Sequence, residues 1–435
     1  MLNVFSPRTQ RNCDGSTRRD FLRVGALGLS GLALPDLLRL QAAAKAEGHS
    51  VSKKSIIWLW LGGGATHVET FDPKMSAPAE YRSTVGAVQT CVPGVQIGGV
   101  FPKIATVADR MCFVRSFAHT NSGHAGGTHW MMTGYDHPPA DNGAAPIKPS
   151  MGSIISRFRG SFNQQSGIPS YVRLGGIYAD GPSWLGAAYA PFDVGGQARN
   201  NMNMHVSHDH LNDRRSLLKE LDKLDRQIDK TGLMDGLDSF ETQAFGLIQS
   251  KAREVFDLSK EDPRTHDQYG RHTLGQWFLL ARRLCEAGCG FVTMHYGGWD
   301  MHGDIGNAMR GIAPPMDQAV HAFIEDLTQR GMLDQVLLVI SGEFGRTPRI
   351  NGSAGRDHWA PLSPLALAGG GLKMGHALGE SSAKLEVPKT TPITPQDLMA
   401  TILHVMGIDH RMQVRDPSGR PVYLVENGQP IPGLV

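Results

Sequence analysis

Cysteine is scarce in this chain: five residues in 435, one of them Cys13 near the amino terminus. The other four, Cys91, Cys112, Cys285 and Cys289, are too few for a disulfide framework in so long a chain, and no Cys-x-x-Cys pair offers a thiolate zinc site. Cys285 and Cys289 lie four apart at a predicted helix end, where a disulfide or two buried thiols fit equally well. An excess of charge of either sign is lacking too. With 43 Lys+Arg against 41 Asp+Glu the formal charge is +2, so the total points neither to nucleic acid nor to an anionic membrane as partner. Nor is there a run of spanning length. The apolar stretch Val24 to Leu34 stops at Pro35 and Asp36, no later run approaches a span, and the mature chain is expected to have none.

Glycine is abundant, 52 residues, with 26 prolines, as suits many strand-to-loop junctions. The length admits two domains or one large α/β domain and is ample for a sizeable core. The first residues read as an address. Ser16-Thr17-Arg18-Arg19-Asp20-Phe21-Leu22 is a twin-arginine pattern, followed by the moderately apolar Val24 to Leu34 and the alanine cluster Ala42-Ala43-Ala44-Lys45-Ala46. Residues 1–46 are therefore expected to be an export signal read by the twin-arginine machinery, with residues 47–435 periplasmic or secreted; the alternative is an amphipathic amino-terminal helix. That route carries folded cargo, which favours a metal or cofactor loaded before export.

The mature chain alternates apolar runs with helical patterns, the mark of a mostly parallel sheet sandwiched by helices. Ser55 to Leu61 predicts the first strand, ending at Gly62-Gly63-Gly64, with His67, Glu69 and Asp72 close behind as cation ligands or as turn and cap residues. Met111 to Phe117 predicts a second strand. It leads into a helix with Asn121 and Ser122 as caps and Gly134 as its stop, whose amino end would offer N–H groups to an anion. His119, His124 and His129, five apart, cannot line one helical face. Ser161 to Asn201 reads as an extended, loop-rich region, and about 207–262 as an inserted pair of charged helices. A helix from Leu274 to Leu284 feeds the strand Phe291 to His295, and Met316 to Gln329 reads as another helix. Pro395 to Gly407 is a capped helix, and a turn between short strands follows around Asp416.

Two strand ends carry chemistry. After Phe291 to His295 comes Gly297-Gly298-Trp299-Asp300-Met301-His302, where a glycine-rich turn lets Asp300 and His302 face inward, unless they are an Asx turn and a surface histidine. The apolar run Val336 to Ile340 delivers Glu343 at its carboxyl end, either into a crevice or onto Arg346 or Arg349. His358 precedes the next apolar run. Asp300, His302, Glu343 and His358 are thus expected to meet around one divalent cation, of zinc, manganese, magnesium or calcium type.

Six stretches in order, STRRDFLRVG, LWLGGGATHVETFDPK, HTNSGHAGGTHWMMTG, ARRLCEAGCGFV running into GGWDMH, SGEFGRTPR with GRDHW, and SGRPV, resemble the twin-arginine-exported domain-of-unknown-function family fifteen-oh-one. That family lies within the alkaline phosphatase and sulfatase superfamily. The resemblance implies a doubly wound α/β sandwich and metal-dependent transfer of phosphoryl or sulfuryl groups. The substrate would be a small anionic ester or a sulfated or phosphorylated polymer. It casts Asp300, His302, Glu343 and His358 as ligands, with His67, Glu69 or Asp72 as substitutes in a second metal site otherwise dismantled, because Gly63 stands where an aspartate is expected and Phe344 where a histidine is. The nucleophile position falls on His124, with Ser122 two residues before it, and Arg346 would stabilise developing negative charge. A non-catalytic exported binding or envelope protein on the same fold is the alternative.

Overall fold

The computed structural model describes residues 53–163, 165–195 and 252–435; the stretch expected to be an export signal and most of the stretch expected to be an inserted helical pair lie outside them. Residues 411–424 form a small unit by themselves, in which Gln413–Arg415 pairs with Pro421–Tyr423 across a turn held by the Asp416 carboxylate. In the main unit an eight-stranded sheet is built from β1 (Ser55–Gly62), β2 (Met111–Val114), β3 (Tyr171–Leu174), β4 (Phe192–Asp193), β5 (Phe291–Gly297), β6 (Val336–Ser341), β7 (Leu365–Gly369) and β8 (His376–Leu378). Their spatial order is β8-β2-β7-β6-β1-β5-β3-β4. Every pairing is parallel except the two made by β7, which runs against both β2 and β6.

Every residue of β1 is buried, as an unbroken apolar run must be when both faces of a parallel sheet are covered. Its side chains alternate between two layers. Ile57, Leu59 and Leu61 pack into the core formed with helices α5 (Thr273–Glu286) and α6 (Ile305–Gln329), which meet through Phe278 and Phe323 at 5.1 Å between ring centroids. Trp58 points the other way, edge-on to Phe291, and its indole N–H donates 2.9 Å to Ser341 Oγ. Fully burying one such apolar side chain contributes about 1.5–3 kcal/mol, which places much of the fold's stability under the central strands. The other α-helices among the described residues are α1 (His124–Thr133), α2 (Met151–Arg159), α3 (Ala252–Phe256), α4 (Pro263–Tyr269) and α7 (Pro395–Val405). Helix α7 opens on a capping box between Thr394 and Asp397.

The doubly wound, mostly parallel sheet is as expected, with three local differences. Helix α6 starts eleven residues before Met316, because Pro314 and Pro315 interrupt its sequence pattern without ending it. The region from Ser161 contributes a central-sheet strand, β3, whose four residues with Arg173 among them are too short and too polar to announce one. Helix α1 starts at His124 behind Gly123, which makes no side-chain cap bond; Asn121 Oδ1 instead accepts the Gly123 N–H at 2.9 Å. Gly134 ends α1 in the left-handed conformation, as expected. Cys285 and Cys289 are buried free thiols.

Candidate functional site

Strand register brings distant segments to one rim. Gly62 pairs with Gly297 on one side of β1, and Trp60 with Ser341 on the other, so the chain leaves all three strands at their carboxyl ends side by side. Such a rim is where open α/β sheets place ligands. Gly63 has φ +111° and its Cα faces the Asp300 backbone: a Cβ there would sit 2.6 Å from Asp300 N. The close approach fixes the loop that carries Asp300.

Three side chains converge above this point. His302 Nε2 lies 3.0 Å from Asp300 Oδ1 and 3.2 Å from His358 Nε2, and His358 Nε2 lies 3.3 Å from the same Asp300 oxygen. His302 Nδ1 is 2.7 Å from Asp357 Oδ1, and His358 Nδ1 is 3.0 Å from the Ser122 carbonyl. Both Nδ1 partners are acceptors, so when the two rings are neutral with the proton on Nδ1, each Nε2 presents a lone pair. The three inward atoms are then all acceptors, an arrangement that calls for a cation. Ligand atoms about 2.0–2.2 Å from a tetrahedral zinc ion are about 3.3–3.6 Å apart, so this set fits a divalent ion after opening slightly. His124 joins them: one ligand atom each from His124, Asp300 and His358 lie within 4.8 Å of one another.

One cation is already built in. The Arg346 side chain is wholly buried; Nη2 donates to Asp300 Oδ1 and to the Gly63 carbonyl, Nε to the Gly64 carbonyl at 2.7 Å, and Nη1 to His302 Nε2 at 3.3 Å. Backbone pairing between Gly345–Arg346 and His358–Trp359 sets Arg346 directly opposite His358. Burial raises the Asp300 carboxyl, but the Arg346 hydrogen bond and charge outweigh it and leave the group below the usual carboxylate range. Desolvation first, then Arg346, holds the His358 imidazole below its ordinary value.

Glu343 lies beside this trio and reaches it through His124. Its Oε1 accepts the Gly63 N–H at 2.9 Å and meets His124 Nδ1 at 2.7 Å, while its buried Oε2 has no partner among the described residues. Neither Arg346 nor Arg349 claims it. The Glu343 hydrogen bond raises the His124 pKa, against a smaller opposing effect of burial. His124 Nε2 stands 3.5 Å from Asp300 Oδ2, and its ring packs on Phe344 and His358 at centroid distances of 5.1 and 4.5 Å. Phe344 thus forms the wall where a histidine had been expected.

The remaining predicted residues sit elsewhere. His67 is buried, Nε2 against the Leu385 carbonyl at 3.1 Å, and burial pushes its pKa down to about 3. Glu69 is wholly buried in an ion pair with Arg356 at 3.0 Å, and also accepts from Thr66. Arg356 in turn donates to the carbonyls of Thr347, Tyr81 and Arg82, so the pair ties loops together and Glu69 has no oxygen to spare for the rim. Ser122 Oγ accepts the Ala360 N–H at 3.0 Å. The anion site expected at the start of α1 is altered as well, because the Asp141 carboxylate accepts the Gly126 N–H at 2.8 Å and places negative charge there. Asp357 was missed as an orienting group; its position directly before His358 was the one available signal.

Fold and rim together define a doubly wound α/β protein carrying a carboxylate and imidazole cluster at the ends of its central strands. The family model described as Protein of unknown function (DUF1501) matches residues 53–435, and the chain belongs to that family. No curated protein matches it. Among solved structures it is similar to the PsFucS1 sulfatase from Pseudoalteromonas sp., at 12% identity over 86% of this chain and 72% of that one, with a TM-score of 0.41. It is also similar to the lipoteichoic acid synthase LtaP from Listeria monocytogenes, at 10% identity over 87% and 88%, TM-score 0.36. A mutant TAB5 alkaline phosphatase with magnesium bound is similar at 12% identity over 82% and 99%, TM-score 0.37. Scores at this level carry no argument about chemistry, which rests on the residues at the rim. No helix among the described residues is long and apolar enough to cross a membrane.

Proposed function

We propose that this protein is an exported, metal-dependent hydrolase of phosphate or sulfate esters, active in the periplasm or outside the cell after twin-arginine export. One observation carries the proposal: Asp300 Oδ1, His302 Nε2 and His358 Nε2 face one another as three acceptors within 3.3 Å. Those three residues would hold one divalent ion, with His124 at its edge. When bound, the ion supplies a Lewis acid for the ester oxygen. Asp357 and the Ser122 carbonyl keep both imidazoles in the tautomer that ligates. Arg346 adds fixed positive charge at the rim, which suits an anionic ester, small or polymeric. Glu343 holds His124 so that Nε2 faces the same space.

The bond between Arg346 and Asp300 favours a second reading, because the guanidinium already neutralises the carboxylate that a metal would need. In that case the chain is a non-catalytic binding or envelope protein. Hydrolysis of aryl phosphate and aryl sulfate by the exported protein, with and without chelator, separates the two. Chelator-sensitive turnover supports the hydrolase; no turnover with any of zinc, manganese, magnesium or calcium supports the binding protein.

A further inference from the structure

We propose that the cavity at the carboxyl ends of β3 and β4 is a second binding site, which takes the apolar part of the alcohol whose ester is cleaved at Asp300, His302 and His358. The inference rests on the hydrolase reading above and adds to it a substrate with an anionic end and an apolar tail.

The cavity measures about 520 Å³, and Leu174, Val194, Phe256, Leu258, Trp277 and Leu280 form its apolar wall. Ligand sites commonly hold about 300–1,000 Å³ and are lined in this way. The polar side chains that share the lining are spent on one another and on their neighbours. Gln276 Oε1 meets His266 Nδ1 at 2.6 Å while its Nε2 donates to the Gly270 carbonyl at 2.8 Å, and Ser259 Oγ donates to Asp257 Oδ1 at 2.6 Å. Arg271, the cation among the lining residues, is paired with Asp267 at 2.6 Å. The lining therefore leaves an anion no unpaired positive charge, and Asp257 adds a negative one. What it offers a ligand is the removal of apolar surface from water.

The cavity and the metal-binding rim share one edge of the sheet. Strands β1, β5 and β3 are parallel neighbours, so their carboxyl ends stand in a row, and the two steps from β1 to β3 cover about 10 Å. Contacts run along that row. Gly175, directly after β3, has φ +84°, and a Cβ there would lie 3.1 Å from His295 Cβ and 3.5 Å from Trp277 Cη2. His295 in turn lies over Gly62, where a Cβ would collide with its Nε2, and the next residue, Gly63, faces Asp300. An ester held at Asp300 thus has the half-buried Trp277 within reach of its alcohol, along a surface made by His295 and Gly175. The charges set the direction: Arg346 lies at the ester end, and Asp257 lies at the tail end. Residues 196–251 leave the chain after Gly195 and rejoin it at Ala252, close in sequence to Val194 and Phe256 of the wall, so they are the competing occupant.

The test gives the full mature chain a series of monoalkyl phosphates and monoalkyl sulfates, ethyl, butyl, hexyl and octyl, beside a calorimetric titration with 1-octanol. Once the tail reaches the cavity, kcat/KM should rise about fourfold for each methylene buried. Octanol should bind, and should inhibit turnover of the octyl ester far more than that of the ethyl ester. Ser259→Trp, which sets an indole into the cavity from an exposed lining position, should lose octanol binding and flatten the series. Equal kcat/KM from ethyl to octyl in the wild-type chain would overturn the site and leave the hydrolase standing. So would a wild-type chain that takes up no octanol, the outcome if residues 196–251 fill the cavity, or octanol held as firmly by Ser259→Trp. Octanol uptake that Ser259→Trp abolishes, with no turnover of any ester, would support the apolar site and overturn the hydrolase reading.

Discussion

Asp357→Asn changes one atom type at the edge of the rim and isolates what an orienting carboxylate contributes. Asp357 Oδ1 stands 2.7 Å from His302 Nδ1, and Asn351 Nδ2 donates to the same oxygen at 3.3 Å. An asparagine can still accept from Nδ1, so the tautomer is kept while the negative charge that makes His302 a better donor to an ion is removed. Loss of such a partner typically weakens metal affinity about 10–100-fold, which is about 1.4–2.7 kcal/mol of binding free energy. Folding should hardly notice. The Asp357 side chain is 54% exposed, and pairs that open to water are worth about 0–1 kcal/mol. Zinc affinity of the apoprotein, measured by competition with a chromophoric chelator, should therefore fall while the denaturant midpoint stays in place. An Asp357→Asn protein that binds zinc as tightly as wild type, beside a His302→Ala protein that has lost it, would refute this role for Asp357.

In metal-free protein, Glu343 holds the His124 pKa above its ordinary value, so the charged pair contributes fully below about pH 6.5 and the contribution fades as pH rises through the higher folded value. Titration of the His124 ring by NMR should show a raised midpoint that drops in Glu343→Gln; an unmoved midpoint would sink the pairing. His67 behaves oppositely: at a pKa of about 3 it stays neutral in the fold, and stability is lost as pH falls below about 6.5 by up to ~1.4 kcal/mol per unit. His67→Gln should flatten that slope in denaturant melts at pH 4–6. Arg356→Met strands the buried Glu69 charge and should cost about 3–5 kcal/mol, with much of it recovered in the double variant Glu69→Leu/Arg356→Met. If the double variant is no more stable than the single one, the pair is not what ties those loops.

The sheet was legible because its central strands are apolar on both faces and end at glycines, a pattern that survives without knowledge of contacts. That Asp300, His302 and His358 meet was legible for the same reason, since each follows or precedes such a run. What could not be read was which polar residues near the rim turn inward. His67 and Glu69 follow the first strand as closely as any ligand would, yet the choice between core and rim was made by partners far away, Leu385 and Arg356. Glu343 was placed correctly at its strand end, but its partner is a histidine 219 residues earlier, and no spacing rule links the two. The start of α1 was misread because capping residues sit where the chain makes a turn instead. Asp141, fifteen residues past Gly126, satisfies the helix end from outside the window in which caps are sought.

The most direct measurement is the ion content of the protein purified from its native host, set beside the same measurement on Asp300→Ala and His358→Ala. Close to one divalent ion per chain, lost in both variants while the fold persists by circular dichroism, is the predicted result. A wild-type chain that takes up no ion when equilibrated with zinc, manganese, magnesium or calcium, or an ion held as firmly by both variants, would contradict it.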